Sequence, residues 1–587
     1  MLSAQSIAIA VPRMRFHSRR LAGVRISSLV CSLAVATGVA IVVYWRAMAT
    51  WSADGDPALH LRLIKDIAAT WELPRHLPLY PARVADGGEI EAMFPYGYTP
   101  LYHLTGAAMY RLGGVSGVLA LNALGAAAIA WVVMRFVSRT VPLYVAALAV
   151  ICAGLSPRVQ QPFTSVYMEP MVLGLLFGSV WLLYLALIRR SPLQGFAAGV
   201  LIGLAIATRQ SALLYGPALG AVVALHLLDR RFVMRSCVEE FRVLLAAGVG
   251  CVAIAVPALL YLWSVTGSIG YGDTTIPGLG SSLAIDPIAN AYVAGITKPD
   301  GGWLEWLDRF QRIIFYGERW LPTSAFGVLI ALFAAGIVHL HSRGRAGRFF
   351  ARWVSAQFVI ELLIFVTLHG NARYVVLSQM FFYALVPVGA YAACRWVARW
   401  SDGWPRTRLA AMAAGAALCT AATLAIAPPG YISAQYSGDP EPLRTFRARA
   451  YADAAAWVNV STPPDSLFLV PRVYSAELTW ERNTTWVTFY GNAWVIDAIA
   501  EGDEQRAHTI LTAYGVDYVV IQDPPGTYLD RMPAGGLRSF LQLGLSAEPY
   551  FTLAYATRDE SPLHWQGREV THGLRIYRVT PPSELAR

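Results

Sequence analysis

Residues 26–71 read ISSLVCSLAVATGVAIVVYWRAMATWSADGDPALHLRLIKDIAATW. An apolar run long enough to span a bilayer, Ile26–Trp45, ends at Arg46. Shortly beyond it stands the acidic cluster Asp54-Gly55-Asp56, with His60 one helical turn further on. Charged side chains this close to a membrane are costly unless they line a polar cavity, so the cluster marks a site before it marks structure. The class of fold follows from how often such a span recurs.

It recurs throughout. Of 587 residues, 56% are hydrophobic and 14% charged, and the mean hydropathy is +0.46. A soluble protein carries roughly a quarter charged residues, so this composition defines a polytopic membrane protein. The net charge of +10 does not point to nucleic acid. The arginines fall in short clusters between apolar spans and form no basic face with interleaved aromatics. Cys31, Cys152, Cys237, Cys251, Cys394 and Cys419 lie mostly in or beside the spans, without paired metal spacing, and read as small core hydrophobes.

The expected spans are Ile26–Trp45, Val115–Met134, Val141–Leu155, Met171–Ile188, Leu193–Thr208, Ser211–Leu228, Val243–Val265, Ala325–Leu340, Trp353–Leu368, Val375–Ala393 and Leu409–Ala427, about eleven helices. With the N-terminus and its Arg13, Arg15, Arg19 and Arg20 in the cytoplasm, every alternate connection is basic. These connections carry Arg135 and Arg139; Arg189 and Arg190; Arg230, Arg231 and Arg235; Arg343 to Arg352; and Arg395 to Arg408. The basic N-terminus leading into an apolar run mimics a secretory signal, but the run is long enough to span and no small-residue cleavage site follows it, so a retained first helix is expected.

This topology places three polar regions on the non-cytoplasmic face: the loop 46–114, the loop 267–320 and the tail from about Pro428. In the first loop, Pro57–Trp71 predicts an amphipathic helix, with Leu59, Leu63, Ile67 and Trp71 opposite Arg62, Lys65 and Asp66. Asp56 fits its N-cap and Pro57 its first position. The run Phe94–Tyr102, FPYGYTPLY, carries Tyr96, Tyr98 and Tyr102. It reads either as an interface belt or as a wall for a lipid or sugar.

One helix, a large outer loop opening on Asp-x-x-x-His, the aromatic FPYGYTPLYH run, many spans and a soluble tail together resemble the GT-C superfamily of integral membrane glycosyltransferases. That superfamily includes protein mannosyltransferases, aminoarabinose transferases and oligosaccharyltransferase catalytic subunits. The resemblance covers nearly the whole chain in architecture and does not fix a subfamily. It implies a polyprenyl-phosphate-linked sugar donor and transfer on the outer face of the membrane. It also implies a functional acid in the first outer loop, here Asp56 with Asp54 as the other candidate, and a second in the next outer loop, here Glu169 of Tyr167-Met168-Glu169-Pro170. Oligosaccharyltransferases carry Asp-x-Glu at that second place. One acid in place of two leaves a divalent metal ion an open possibility that the chemistry does not require. TRQSALL at Thr208–Leu214 and GNARY at Gly370–Tyr374 are similar to recurring superfamily segments.

Transfer from a phosphate-linked donor needs a base for the acceptor hydroxyl and positive charge for the departing phosphate. Asp56 is the expected base, with His60 orienting or polarising it. Arg209 and Arg373, at outer helix ends where positive charge is otherwise sparse, are expected to hold the phosphate, since a guanidinium fork fits its geometry. Their structural alternative is snorkelling or an ion pair with Glu169 or Glu361. Glu361, inside the ninth span, reads as half of a structural pair. His103 and His226 read as packed. Asn459-Val460-Ser461 and Asn483-Thr484-Thr485 match the glycosylation triplet, a pattern common by chance.

From about residue 428 the pattern changes. A helix around Ala450–Val458, a strand Ser466–Val470, a helix Glu504–Tyr514 and strands Asp517–Ile521 and Leu574–Val579 predict a soluble α/β domain. Two domains result: 1–427, GT-C-like and catalytic, and 428–587, soluble and non-cytoplasmic. The expected setting is multi-pass in the plasma (inner) membrane, among membrane lipids, with a cell-envelope glycan, lipid or protein as acceptor. Rival classes are a multi-pass transporter, which the absence of repeated halves disfavours, a polysaccharide polymerase or ligase, which normally lacks the acidic first loop, and a non-catalytic receptor.

Overall fold

The computed structural model describes residues 13–50, 56–73, 76–84, 90–95, 98–155, 162–228, 234–266, 323–367, 376–400, 415, 441–470, 483–486, 504–513, 515–522, 549–557, 563–565, 568–570 and 573–585. Helices dominate the first two thirds: α1 (Arg13–Thr50), α2 (Asp56–Thr70), α3 (Leu101–Val137), α4 (Leu143–Leu155), α5 (Glu169–Arg189), α6 (Pro192–Thr208), α7 (Gly216–Leu228), α8 (Met234–Thr266), α9 (Thr323–Ser342), α10 (Gly344–Thr367) and α11 (Val376–Trp400). An antiparallel hairpin, β1 (His76–Val84) and β2 (Ile90–Pro95), lies between α2 and α3, with its register shifted around Pro81. The sequence pattern predicts no strand there.

Every expected span overlaps one of these helices except Leu409–Ala427, which lies outside the described residues apart from a helical Gly415. Among the described residues, 6 helices are long and apolar enough to cross a membrane, and three shorter apolar ones, Leu143–Gly154, Pro192–Thr208 and Gly327–Ser342, accompany them. The protein is therefore mostly helical and polytopic. About eleven crossings is more than helix length and apolarity alone support.

One boundary differs from expectation. The sequence reads Leu101–Gly114 as loop, because Arg111 and the Gly113-Gly114 pair interrupt the apolar pattern. In fact α3 starts at Leu101 and kinks at Gly113 (φ −152°, ψ 19°) and Gly114 (φ 60°, ψ −145°). Gly114 occupies a region that only glycine adopts without strain. Its first turns pack along α2, and the rest continues into the bundle.

Aromatic side chains fill the core of the bundle. Phe136, Phe177, Phe350, Trp353, Phe381 and Phe382 are fully buried. Phe136 stacks on Phe350 with centroids 4.9 Å apart, and Phe177 meets Trp353 edge-on at 4.8 Å. Backbone contact holds α6 to α8: a side chain at Gly195, Gly199 or Gly203 would collide with the carbonyls of Val243, Ala247 and Cys251. This one-turn-spaced stripe of small residues allows the close approach that drives helix association in lipid, where no hydrophobic force does so. Gly199→Val is therefore expected to destabilise the fold by about 1–3 kcal/mol or more through overpacking. Thermal unfolding in detergent checks this, and an unchanged midpoint would show that the two helices do not pack so closely.

The C-terminal part is the expected α/β unit. Helix α12 (Glu441–Ser461) precedes a five-stranded mixed sheet, in the order β4-β3-β5-β9-β6. Its strands are β3 (Leu467–Val470), β4 (Asn483–Trp486), β5 (Tyr518–Gln522), β6 (Phe551–Ala556) and β9 (Leu574–Val579). The edge strands β4 and β6 were missed in the sequence, and the triplet Asn483-Thr484-Thr485 lies inside β4. The small hairpin β7–β8 (Leu563–Trp565, Arg568–Val570) and the helices α13 (Glu504–Ala513) and α14 (Pro582–Leu585) complete it.

What matters for the site is where this unit docks. Ala450, Tyr451, Ala454 and Val458 of α12 share one apolar core with Phe468, Tyr518 and Ile576 of the sheet and with Leu63 of α2. Tyr98 and, from the end of α8, Tyr261 and Val265 pack against it. On its other sides α2 meets α3, through Leu61 and Ile64 against Tyr102 and through Ile67 and Ala68 against Ala107. The helix expected to be half exposed is thus enclosed: Leu61, Leu63, Ile64 and Ile67 are all buried, and Arg62, Lys65 and Asp66 are half-buried. Periodicity showed one apolar face, whereas partners distant in sequence cover the remainder.

Candidate functional site

The site grows from α2. The helix begins at Asp56, with Pro57 next, where a missing N–H costs nothing. It ends one residue before Trp71, whose φ of 61° turns the chain and whose N–H donates to Ile67 O at 2.7 Å. Arg111 of α3 secures this end. Its guanidinium donates to the carbonyls of Ala68 (2.5 Å) and Ala69 (3.4 Å) and stacks over Trp71 at 4.8 Å. A cation on the last carbonyls complements the helix dipole and fixes this end of α2.

One turn past Asp56, His60 is 3% exposed. Its Nδ1 lies 3.0 Å from Nε2 of His103, so one ring donates and the other accepts. Tyr98 and Tyr102 flank His60 edge-on, at centroid distances of 5.2 and 5.8 Å, and both also approach His103. Four rings therefore form one box, in which His60, Tyr102 and His103 are buried and Tyr98 is half-buried. The hydroxyls of Thr99 and Tyr102 are buried there without a hydrogen-bond partner among the described residues. His103 is packed, as expected, and also pairs with His60. The missed signal is its place beside Tyr102 at the start of a helix that the sequence placed too late. His103→Phe should cost about 1–3 kcal/mol by removing the partner of a buried imidazole, while His103→Gln should retain most stability by supplying one. Equal unfolding midpoints for the two variants would contradict the pairing.

The second half of the site is Glu169 and Arg209. Glu169 opens α5, followed by Pro170. Arg209 follows the last residue of α6 in an extended conformation (φ −156°, ψ 124°), and the chain then enters a 3-10 turn, Gln210–Tyr215. Arg209 Nη1 donates to Glu169 Oε1, and both side chains are 9% exposed. The second acid and one phosphate candidate are thus brought together. Asn122, inside apolar α3, donates to the carbonyls of Phe163 (3.3 Å) and Ser165 and so fixes the link leading to Glu169. A side chain on Gly125 would strike the Pro170 carbonyl, which sets how closely α3 passes this end of α5. Asn122 is a further residue the sequence reading missed; a lone amide in a long apolar helix is its signal.

The two halves adjoin. Tyr102 of the aromatic box and Met168, next to Glu169, belong to one apolar cluster with Leu61 and Ile64 of α2, and the Tyr102 hydroxyl lies within electrostatic reach of Glu169. Asp54, Tyr96 and Arg373 lie outside the described residues. Glu361 accepts from the Ser378 backbone N–H at 2.7 Å and from Gln357 Nε2 at 3.4 Å, at the start of α11, and its expected pairing with Arg373 lies outside the described residues.

The donor set can be tested for a divalent metal. Among the described residues no group of three or more His, Cys, Asp or Glu could hold one, and Glu169, the acid at the second position, is engaged by a guanidinium. Asp54 lies outside the described residues, and the chemistry below routes no step through a metal.

The chain shares its fold with solved membrane-protein structures. The oligosaccharyltransferase AglB of Archaeoglobus fulgidus, solved with an inhibitory peptide and a dolichol-phosphate, is similar over 85% of this chain and 69% of its own, with TM-score 0.54 and 15% identity. ArnT of Cupriavidus metallidurans, solved with undecaprenyl phosphate, is similar over 92% of this chain and 97% of its own, with TM-score 0.52 and 14% identity. A further structure of the archaeal enzyme, with Zn and sulfate, matches with TM-score 0.54, 15% identity and coverage of 95% and 73%. No family profile and no curated protein matches the sequence.

Proposed function

We propose that this protein is a membrane glycosyltransferase that moves a sugar from a polyprenyl-phosphate-linked donor to an acceptor on the non-cytoplasmic face. The observation that carries the reading is the junction of α2 with the Glu169–Arg209 pair through one buried cluster, on a fold shared with proteins solved around lipid phosphates. Asp56, at the start of α2, takes the proton of the acceptor hydroxyl. The acceptor oxygen attacks the anomeric carbon, the bond from that carbon to the phosphate oxygen breaks, and the electron pair leaves with the polyprenyl phosphate. Arg209 and Arg373 supply the positive charge that stabilises the departing phosphate. Glu169 holds Arg209 in place, and the imidazole of His60, held by His103, orients the acidic cluster. Tyr96, Tyr98 and Tyr102 form the wall against donor sugar or lipid.

The acceptor is a cell-envelope glycan, lipid or protein. The setting is the plasma membrane, with the N-terminus in the cytoplasm and the C-terminal unit outside, as the distribution of arginines indicates.

A sealed-vesicle experiment separates this reading from a transporter. Purified protein is reconstituted with a polyprenyl-phosphate sugar labelled in the sugar. A transferase releases free polyprenyl phosphate and passes the label to acceptor or water. Intact donor crossing the bilayer with no release of lipid phosphate would establish the transporter instead.

A further inference from the structure

The opposite end of α3 carries a cluster that the proposed reaction does not use. Arg135 and Arg139 lie in and just after its last turn. Both guanidiniums stack on one indole of α5, Trp181, at 5.6 and 4.8 Å from the ring. Arg139 also donates to the Tyr184 hydroxyl at 3.0 Å, and Arg345, in the first turn of α10, lies within electrostatic reach of the same tyrosine. The turn after α3 is pressed against this end of α10, where a side chain on Gly347 would strike Thr140. Three cations thus converge from two helices onto two aromatic rings of a third.

None of the three arginines has a carboxylate partner among the described residues, and Arg135 Nε is buried without an acceptor. Neighbouring Arg190, on the same end of α5, shows the contrast: its charge is met by Glu239 at 2.5 Å. Like charges one turn apart repel, and Arg135 and Arg139 lie within electrostatic reach of each other. The inside-positive bias explains why arginines occur at this end but not why three of them share one aromatic platform without an acid. The α3 dipole favours cations at its last turn, but Arg345 stands at a helix start, where anions are favoured.

We infer that this cluster is a binding site for the phosphate of an anionic phospholipid headgroup in the leaflet opposite the transfer site. The placement fits a lipid. Trp and Tyr at helix ends mark the level of the headgroups, and basic pockets between spanning helices bind anionic headgroups there. The indole and phenol rings hold the guanidiniums in position, and the first backbone N–H groups of α10 add to the attraction for phosphate.

Native mass spectrometry tests this on the full chain exchanged into bilayer discs of phosphatidylcholine containing phosphatidylglycerol. The wild type is expected to retain phosphatidylglycerol in preference to phosphatidylcholine. The variant Arg139→Gln/Arg345→Gln changes two exposed side chains and should bind the anionic lipid about thirtyfold more weakly. Arg190→Gln, which removes a cation already paired, should bind as the wild type does. Equal retention of the two lipids, or undiminished phosphatidylglycerol on the double variant, overturns the site. Displacement of the lipid by an equal concentration of inorganic phosphate would overturn its assignment to a lipid.

Discussion

Asp56→Asn is expected to lower release of polyprenyl phosphate from the donor by about 10²–10⁴-fold while leaving the unfolding midpoint unchanged. The expectation separates two jobs that one residue can hold. Asp56 opens α2, and asparagine caps a helix about as well as aspartate does. The substitution therefore preserves the helix start, and through it the packing of Leu61, Leu63 and Ile64, but removes the carboxylate that accepts a proton. On the N-cap role expected from the sequence, Asp56→Ala removes cap and base together and should show both losses, with about 0.5–2 kcal/mol of stability gone. Full turnover by the Asn variant would reduce Asp56 to a cap and move the search for the base to Asp54.

The second large effect is on stability. Glu169→Gln should destabilise the fold by about 3–5 kcal/mol, because the Arg209 guanidinium keeps its charge in a buried site after losing the carboxylate it bonds. The partner change, Arg209→Met, should cost a similar amount. The double variant Glu169→Gln/Arg209→Met should recover much of the loss, since a neutral pair leaves no buried charge. Turnover will not recover, because the phosphate has lost a cation. Denaturant unfolding of the four proteins in detergent reads the cycle. Additive losses would mean that the two residues act separately.

How much of this was visible in the sequence depends on which residues act through near neighbours. Most of the helices were legible because lipid imposes long apolar runs on each helix separately. The start of α2 was legible locally, from Asp56-Pro57 and the residues after it. The Leu101–Gly114 stretch was misread because Gly113-Gly114 looks like a break, and whether two glycines end a helix or only bend it is decided by what the preceding turns pack against. The His60–His103 contact was not legible, because the two residues are 43 apart, a separation that no spacing rule covers. The Glu169–Arg209 pair, 40 residues apart, was one of several pairings that the sequence left open. In the C-terminal unit the central strands β3, β5 and β9 were found from their apolar runs. The edge strand β4, Asn-Thr-Thr-Trp, is polar and owes its conformation to β3 beside it.

The account's central claim is bond cleavage at a lipid-phosphate sugar. The most direct measurement incubates wild type and Asp56→Asn, both purified, with a panel of polyprenyl-phosphate sugars and follows free polyprenyl phosphate by mass spectrometry. The account predicts release by the wild type from at least one donor and about 10²–10⁴-fold slower release by the variant. If a control transferase consumes its donor while neither protein consumes any, the claim is contradicted, and the transporter or receptor reading takes its place.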